Sequence, residues 1–279
     1  MKPGIYEKLG NAEYHSSSAL SRSGVTTLCR RSPLHFWAAH QDPHRKPVEE
    51  TPALRLGSAV HAYVLEPEVW ESDYAVAPRC DRRTKEGKAT WASFVEESEG
   101  KTVLKREEGA QAVAIGEAVL KHDLARSLVR GGASEVSVFW EDEETGILCR
   151  CRPDHLPFSG QVVDLKTTQD ASWDAFRKSA YNFGYHHQAA WYLYGCRAAG
   201  IDCRDFIFVA VEKTYPYAVA IYRASNSLIA LGREEVRYAI KYYARCLESG
   251  KWPGYMDEGG TGIRSLGPPS WALPRAGDH

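Results

Sequence analysis

Asp164 and Lys166 sit two residues apart in the stretch Q-V-V-D-L-K-T-T, residues 161–168, and Asp154 lies shortly upstream in Arg152-Pro153-Asp154. Val162, Val163 and Leu165 mark the stretch as a buried strand, on which side chains two apart emerge on one face. A carboxylate and an ammonium side by side at a strand end are costly to strip of water unless a metal ion or a phosphate joins them. Asp154, on the neighbouring segment, brings a second carboxylate to the same spot. The chemistry such a trio suits is the gathering of a divalent cation beside a water molecule. An ordinary ion pair at a sheet edge is the competing reading of D-x-K alone.

The elements that position these groups must come from a chain of 279 residues, 43% hydrophobic, which is enough to bury a full core. We expect one domain over 1–256, mostly helical over 1–130 with the catalytic core at 131–250, followed by a flexible tail at 257–279. The net charge of −1 excludes general attraction for polyanions, so a nucleic-acid surface must be a local basic one. Seven cysteines, scattered and without a C-x-x-C pair, fit reduced thiols rather than a disulfide framework or a structural zinc site. The N-terminus has no apolar signal core and no run approaches a membrane span, so a cytoplasmic protein without membrane contact is expected.

Along the chain, Ser32-Pro33 offers a cap and a first helical residue for a helix at 34–40. Residues 54–65 read as a helix in which Gly57, Ala59 and Ala62 permit close packing and His61 shares a face with Gly57 and Leu65. Residues 74–100 are charged and irregular, with Arg79, Arg82, Arg83, Lys85 and Lys88 ahead of Trp91. That pattern suits either a nucleic-acid strand or a mobile surface loop. A helix follows at 111–128. Strands at 135–140 and 147–152 form a hairpin, and 161–166 supplies a third strand. Helices at 172–179 and 185–199, strands at 206–212 and 218–222, and a long amphipathic helix at 226–247 complete the order. The buried stripe of that last helix is expected to be Leu228, Leu231, Val236, Ile240, Tyr243 and Leu247.

Pro153-Asp154 followed by Asp164-Leu165-Lys166, within this order of strands and helices, resembles the PD-(D/E)XK nucleases. Gly57-Ser58-Ala59-Val60-His61 through Leu65-Glu66-Pro67 resembles the upstream histidine motif of their RecB and RecE branch. Gly184-Tyr185-His186-His187-Gln188-Ala189-Ala190-Trp191-Tyr192 resembles the Q-x-x-x-Y helix of that branch. Ser32-Pro33-Leu34-His35-Phe36 and the residues 135–140 resemble the nuclease domain of RecE-type exonuclease VIII. The resemblance covers roughly residues 12–255. It implies an α/β fold with a restriction-endonuclease-like core, a central mixed sheet flanked by helices in the order αβββαβ, with helical N-terminal additions. It further implies 5′ to 3′ degradation of one strand at the ends of linear double-stranded DNA, leaving a 3′ overhang for a single-strand annealing partner. A ring-shaped homo-oligomer such as a tetramer belongs to the same picture. A structure-specific endonuclease and a DNA-end-binding module without turnover are the alternatives.

Cutting a phosphodiester requires neutralising phosphoryl charge, aligning a water and stabilising the departing alkoxide. Hard oxygen ligands suit Mg²⁺ or Mn²⁺, so Asp154 and Asp164 are the expected metal carboxylates and the Leu165 carbonyl a further ligand. His61, if it points inward, completes the shell, and an imidazole favours Mn²⁺ over Mg²⁺. Lys166 would orient the attacking water. Gln188 and Tyr192, one helical turn apart, are by resemblance the residues that orient water or phosphate and support the site or the DNA strand. Glu135, ahead of the first strand, either approaches a second metal or is solvated. The cysteines do not match the four-cysteine iron–sulfur pattern of some RecB-type nucleases, so no cluster is expected.

Overall fold

In a computed structural model that describes residues 1–46, 50–255 and 266–268, Gln161–Thr168 is the middle strand of a five-stranded sheet. The strand order is Val219–Arg223, Asp205–Glu212, Gln161–Thr168, His155–Leu156 and Ala133–Ser134. Gln161–Thr168 runs parallel to Asp205–Glu212, which sets Asp164 opposite Phe208 and Lys166 opposite Ala210. The other pairings are antiparallel, so the sheet is mixed. Parallel neighbours need a crossover. The helices Trp173–Asn182 and Tyr185–Ala198 supply it.

Val162, Val163, Asp164 and Leu165 are all buried, which requires cover on both faces of the sheet. Val162 packs into the core that holds Trp191 of the crossover helix with Phe206 and Phe208. Val163 and Leu165 face the other way, into a second core with Leu56, Val60 and Val64 of helix Pro52–Leu65 and Ile115 of helix Arg106–Lys121. The caps are where side-chain chemistry puts them. Ser32 accepts from the His35 amide ahead of Pro33, and Thr51 from the Leu54 amide ahead of Pro52. The close packing expected at Gly57 does not depend on glycine, since a Cβ there would make only an ordinary contact, 3.8 Å from the Thr167 hydroxyl.

Several expectations are corrected. The hairpin forms, but Ser137–Glu141 and Leu148–Cys151 join Gly4–Tyr6 in a separate three-stranded sheet instead of extending the central one. Residues 74–100 are not irregular: they hold strand Tyr74–Val76 and helix Lys85–Glu97, capped by Thr84. Trp91 lies on that helix with the Arg82 guanidinium 3.2 Å from its ring centroid, so the basic–aromatic pattern includes an internal cation–π pair. The helix expected at 111–128 is two, Arg106–Lys121 and Asp123–Leu128, broken at His122, whose Nδ1 accepts from the Ala125 amide at 3.2 Å. In helix Asn226–Ser249, Val236, Ile240 and Tyr243 are buried as expected and Leu228 packs partly against the core, but Leu231 and Leu247 are exposed. Ile229, Gly232, Ala239 and Cys246 fill the remaining buried positions. The tail expected over 257–279 lies outside the described residues apart from 266–268. Among the described residues no helix is long and apolar enough to cross a membrane.

Gly232 is where the last helix meets the crossover helix. A Cβ there would stand 2.0 Å from the His186 carbonyl oxygen, which is backbone and cannot swing aside. Gly232→Ala is therefore expected to cost roughly 1–3 kcal/mol by overpacking, read as a lowered urea midpoint. An unchanged midpoint would mean the helices are not in contact here.

Candidate active site

Asp164 leaves the central strand on the side of the crossover helix and is fully buried. Its Oδ1 accepts from Gln188 Nε2 at 2.5 Å, and its Oδ2 forms an ion pair with Lys166 Nζ. The two-residue spacing thus places carboxylate and amine together as the strand requires. Lys166 lies 5.2 Å from the centroid of the Tyr185 ring, a cation–π contact. Burial pushes the Asp164 carboxyl up, and Asp154 adds to the push while Lys166 opposes it. Burial works against the charge on Lys166, but Asp164 and Asp154 outweigh it and raise its pKa.

Asp154 precedes strand His155–Leu156, and its Oδ2 accepts the Leu165 amide hydrogen at 2.9 Å. The same Oδ2 is 3.5 Å from His61 Nδ1. His61 reaches across from its helix and sets Nε2 2.7 Å from the Leu165 carbonyl oxygen. A carbonyl only accepts, so Nε2 must carry the hydrogen. Nδ1 then turns its lone pair toward a carboxylate oxygen, an arrangement that a cation between them would satisfy. Ligand atoms of His61, Glu135 and Asp154 all fall within 4.8 Å of one another.

The set fits a hard divalent cation. Besides the facing Nδ1 and carboxylate, the buried Gln188 Oε1 has no hydrogen-bond partner, and Asp164 Oδ2 has none beyond the Lys166 amine. Asp154, His61 and Glu135 would hold such an ion, whereas Asp164, also expected as a ligand, lies outside that group with its oxygens on Lys166 and Gln188. The Leu165 carbonyl, expected as a ligand, is already engaged by His61. Tyr192 is corrected as a strand contact: it is 8% exposed within the main core, its ring centroid 6.2 Å from that of Phe206. It packs in that core and does not line the cleft.

Glu135 was left open by the sequence, and the structure turns it inward. It lines the cleft with His61, Glu66, Arg152, Lys166 and Tyr185. Its backbone has φ of 53°, a left-handed conformation that bulky residues rarely adopt. Gly131-Gly132 just before it was the available sign of an unusual turn. Tyr185 and Glu66 were also passed over as site residues, although both stand inside the quoted motifs.

Burial pushes the Glu135 carboxyl up to about 9, reinforced by Asp154 and Glu66 and partly offset by Arg152. In the unfolded chain the same carboxyl ionises near its ordinary value of 4.5. Between those values the folded protein binds the extra proton, so stability falls as pH rises through that window. Glu135→Gln removes the penalty and is expected to stabilise the metal-free protein by about 1–3 kcal/mol at pH 8, with no gain below pH 4. Urea melts in chelator at the two pH values check this. A gain that does not depend on pH would contradict it.

Among solved structures the chain is similar to a candidate exonuclease from Eubacterium rectale, with 16% identity and a TM-score of 0.60 over 94% of this chain and 96% of that one. A phage related exonuclease from Haemophilus somnus 129PT overlays at 15% identity and a TM-score of 0.35, over 84% of this chain and 96% of that one. The first likeness speaks to the fold alone, and the second overlay is too loose to carry an argument. No curated protein matches. Residues 21–260 match the family described as a PDDEXK-like domain of unknown function (DUF3799). That match takes in the mixed sheet, Asp154, Asp164, Lys166 and Gln188, and the chain belongs to this PDDEXK-like family.

Proposed function

We propose that this protein is a metal-dependent exodeoxyribonuclease of the RecE type, which hydrolyses one strand of linear double-stranded DNA from 5′ to 3′ and leaves 3′ overhangs. The observation that carries the reading is His61 Nδ1 facing Asp154 Oδ2 at 3.5 Å while Nε2 is committed to the Leu165 carbonyl. Mg²⁺, or Mn²⁺ given the imidazole donor, would neutralise phosphoryl charge and acidify a water when bound. Lys166, anchored by Asp164, offers its amine to the water or the phosphate. Gln188 fixes the Asp164 carboxylate through Nε2 and keeps Oε1 free to accept a hydrogen from water. Tyr192 supports the carboxylates from the core side.

A ring-shaped homo-oligomer enclosing the DNA, a strand-annealing partner and a cytoplasmic setting belong to the same proposal. The test is incubation of end-labelled linear duplex and covalently closed circular DNA with Mg²⁺, with the products sized. Nucleotide release from the linear duplex with the circle intact is expected. Nicking of the circle would instead identify a structure-specific endonuclease, and retention of ends without turnover a binding module; either result overturns the proposal.

A further inference from the structure

A second group of metal-ligating side chains lies away from the cleft, where three helices meet. Cys29 comes from helix Arg22–Arg30, His186 and His187 from Tyr185–Ala198, and Glu235 from Asn226–Ser249. The close approach at Gly232 brings Glu235 against the two histidines. His187 Nε2 contacts Glu235 Oε2, and His186 Nε2 is 3.3 Å from the same oxygen. Cys29 Sγ lies 3.4 Å from the Glu235 carbonyl, and ligand atoms of Cys29, His187 and Glu235 all fall within 4.8 Å of one another.

Both imidazoles are fully buried, and each has an Nδ1 without a hydrogen-bond partner. Thr26, whose own hydroxyl is buried and unpartnered, lies against Gly184 beside the His187 Nδ1. His187 is buried with Nδ1 unpartnered, so a second ring proton would have no acceptor and the neutral ring is the form that fits. A neutral imidazole is the form that ligates metals. Two buried rings converging on one carboxylate oxygen, with a thiol alongside, are oversupplied for a hydrogen bond and well matched to a cation.

We infer that Cys29 Sγ, His187 Nε2 and the Glu235 carboxylate form a structural Zn²⁺ site that ties these three helices together, its fourth position taken by His186, which stands outside that group but 3.3 Å from Glu235 Oε2, or by water. The donor set decides the metal. Sulfur and imidazole nitrogen select Zn²⁺, whereas the carboxylate-rich cleft selects Mg²⁺ or Mn²⁺. Zinc bonds of about 2.0–2.3 Å hold ligand atoms roughly 3.3–3.8 Å apart, so His187 Nε2 and Glu235 Oε2, now in direct contact, would part as the ion enters between them. Binding releases the Cys29 thiol proton to solvent and moves the proton of each coordinating imidazole from Nε2 to Nδ1. The cysteine spacing pointed away from a zinc site because one ligand of the four is a thiol and the others are scattered along the chain. Since His187 adjoins Gln188, the ion would also steady the start of the helix that holds Asp164.

The full chain, stripped with chelator and kept in excess Mg²⁺ to occupy the cleft, is titrated with Co²⁺. A thiolate-to-cobalt charge-transfer band in the near ultraviolet is expected, saturating at one equivalent and displaced by Zn²⁺. Cys29→Ser should abolish the band and Glu235→Gln should weaken binding about tenfold or more. Protein purified with Zn²⁺ should retain about one ion per chain, and Zn²⁺ should raise the melting midpoint of the native chain. No band from the native chain, or a band that survives Cys29→Ser, overturns the site. Should Cys29→Ser fail to fold, an unchanged native midpoint with Zn²⁺ overturns it equally.

Discussion

Asp154→Asn is expected to lower metal-supported hydrolysis of linear duplex by more than about 100-fold, beyond the loss seen when only an outer partner of a metal ligand is removed. The substitution is chosen for what it spares. An amide oxygen at this position still accepts the Leu165 amide hydrogen, so the bond that ties the residue ahead of His155–Leu156 to the central strand is kept. What disappears is the charge facing His61 Nδ1. The melting midpoint should therefore move little while the metal concentration needed for half-maximal rate rises steeply. Hydrolysis within a few-fold of the native rate would remove Asp154 from the metal shell and with it the central claim about the cleft.

Lys166→Met should slow hydrolysis by about 10²–10⁴-fold, the range for a positioned group that moves or steers a proton. It should also destabilise the fold, because Asp164 is left as a buried carboxylate with Gln188 as its remaining donor. Breaking a buried ion pair from one side costs roughly 3–5 kcal/mol. Adding Asp164→Asn to Lys166→Met is expected to recover most of that stability and none of the activity. Urea melts of the two single variants and the double, beside rates on linear DNA, separate the two effects. If the double is no more stable than Lys166→Met alone, the amine and the carboxylate do not depend on each other as the geometry requires.

How much of this was legible in the sequence follows from how local each signal is. The central strand was readable because Val162, Val163 and Leu165 flag burial within a few residues, and the two-residue period alone pairs Asp164 with Lys166. Gln188 was found through its motif, but the bond it makes, to Asp164 Oδ1, depends on a parallel crossover that spacing does not reveal. Ala133–Ser134 and His155–Leu156 are two-residue strands, too short to carry a period. Helix Lys85–Glu97 buries Gly87 alone, so it has no apolar stripe to detect. Glu135 was ambiguous because its inward turn comes from a left-handed backbone at a single residue, which no side-chain pattern encodes. The stripe of the last helix was misplaced for a related reason. Contact with His186 selects Gly232, and larger residues such as Leu231 are displaced to the outside.

Asp164 has Val163 and Leu165 on either side, each plugged into one core, while Val162 is plugged into the opposite one. Sliding that strand by a single position would exchange the two faces, driving apolar side chains into the cleft and a carboxylate into hydrocarbon. A well-folded population with its acidic groups out of place is therefore not accessible to this chain. A well-folded population that has lost its chemistry is, through one isosteric exchange at an acid. Mutational drift can silence such a protein without any change in its shape, and shape alone is then a poor witness to whether a given member of the family still cuts.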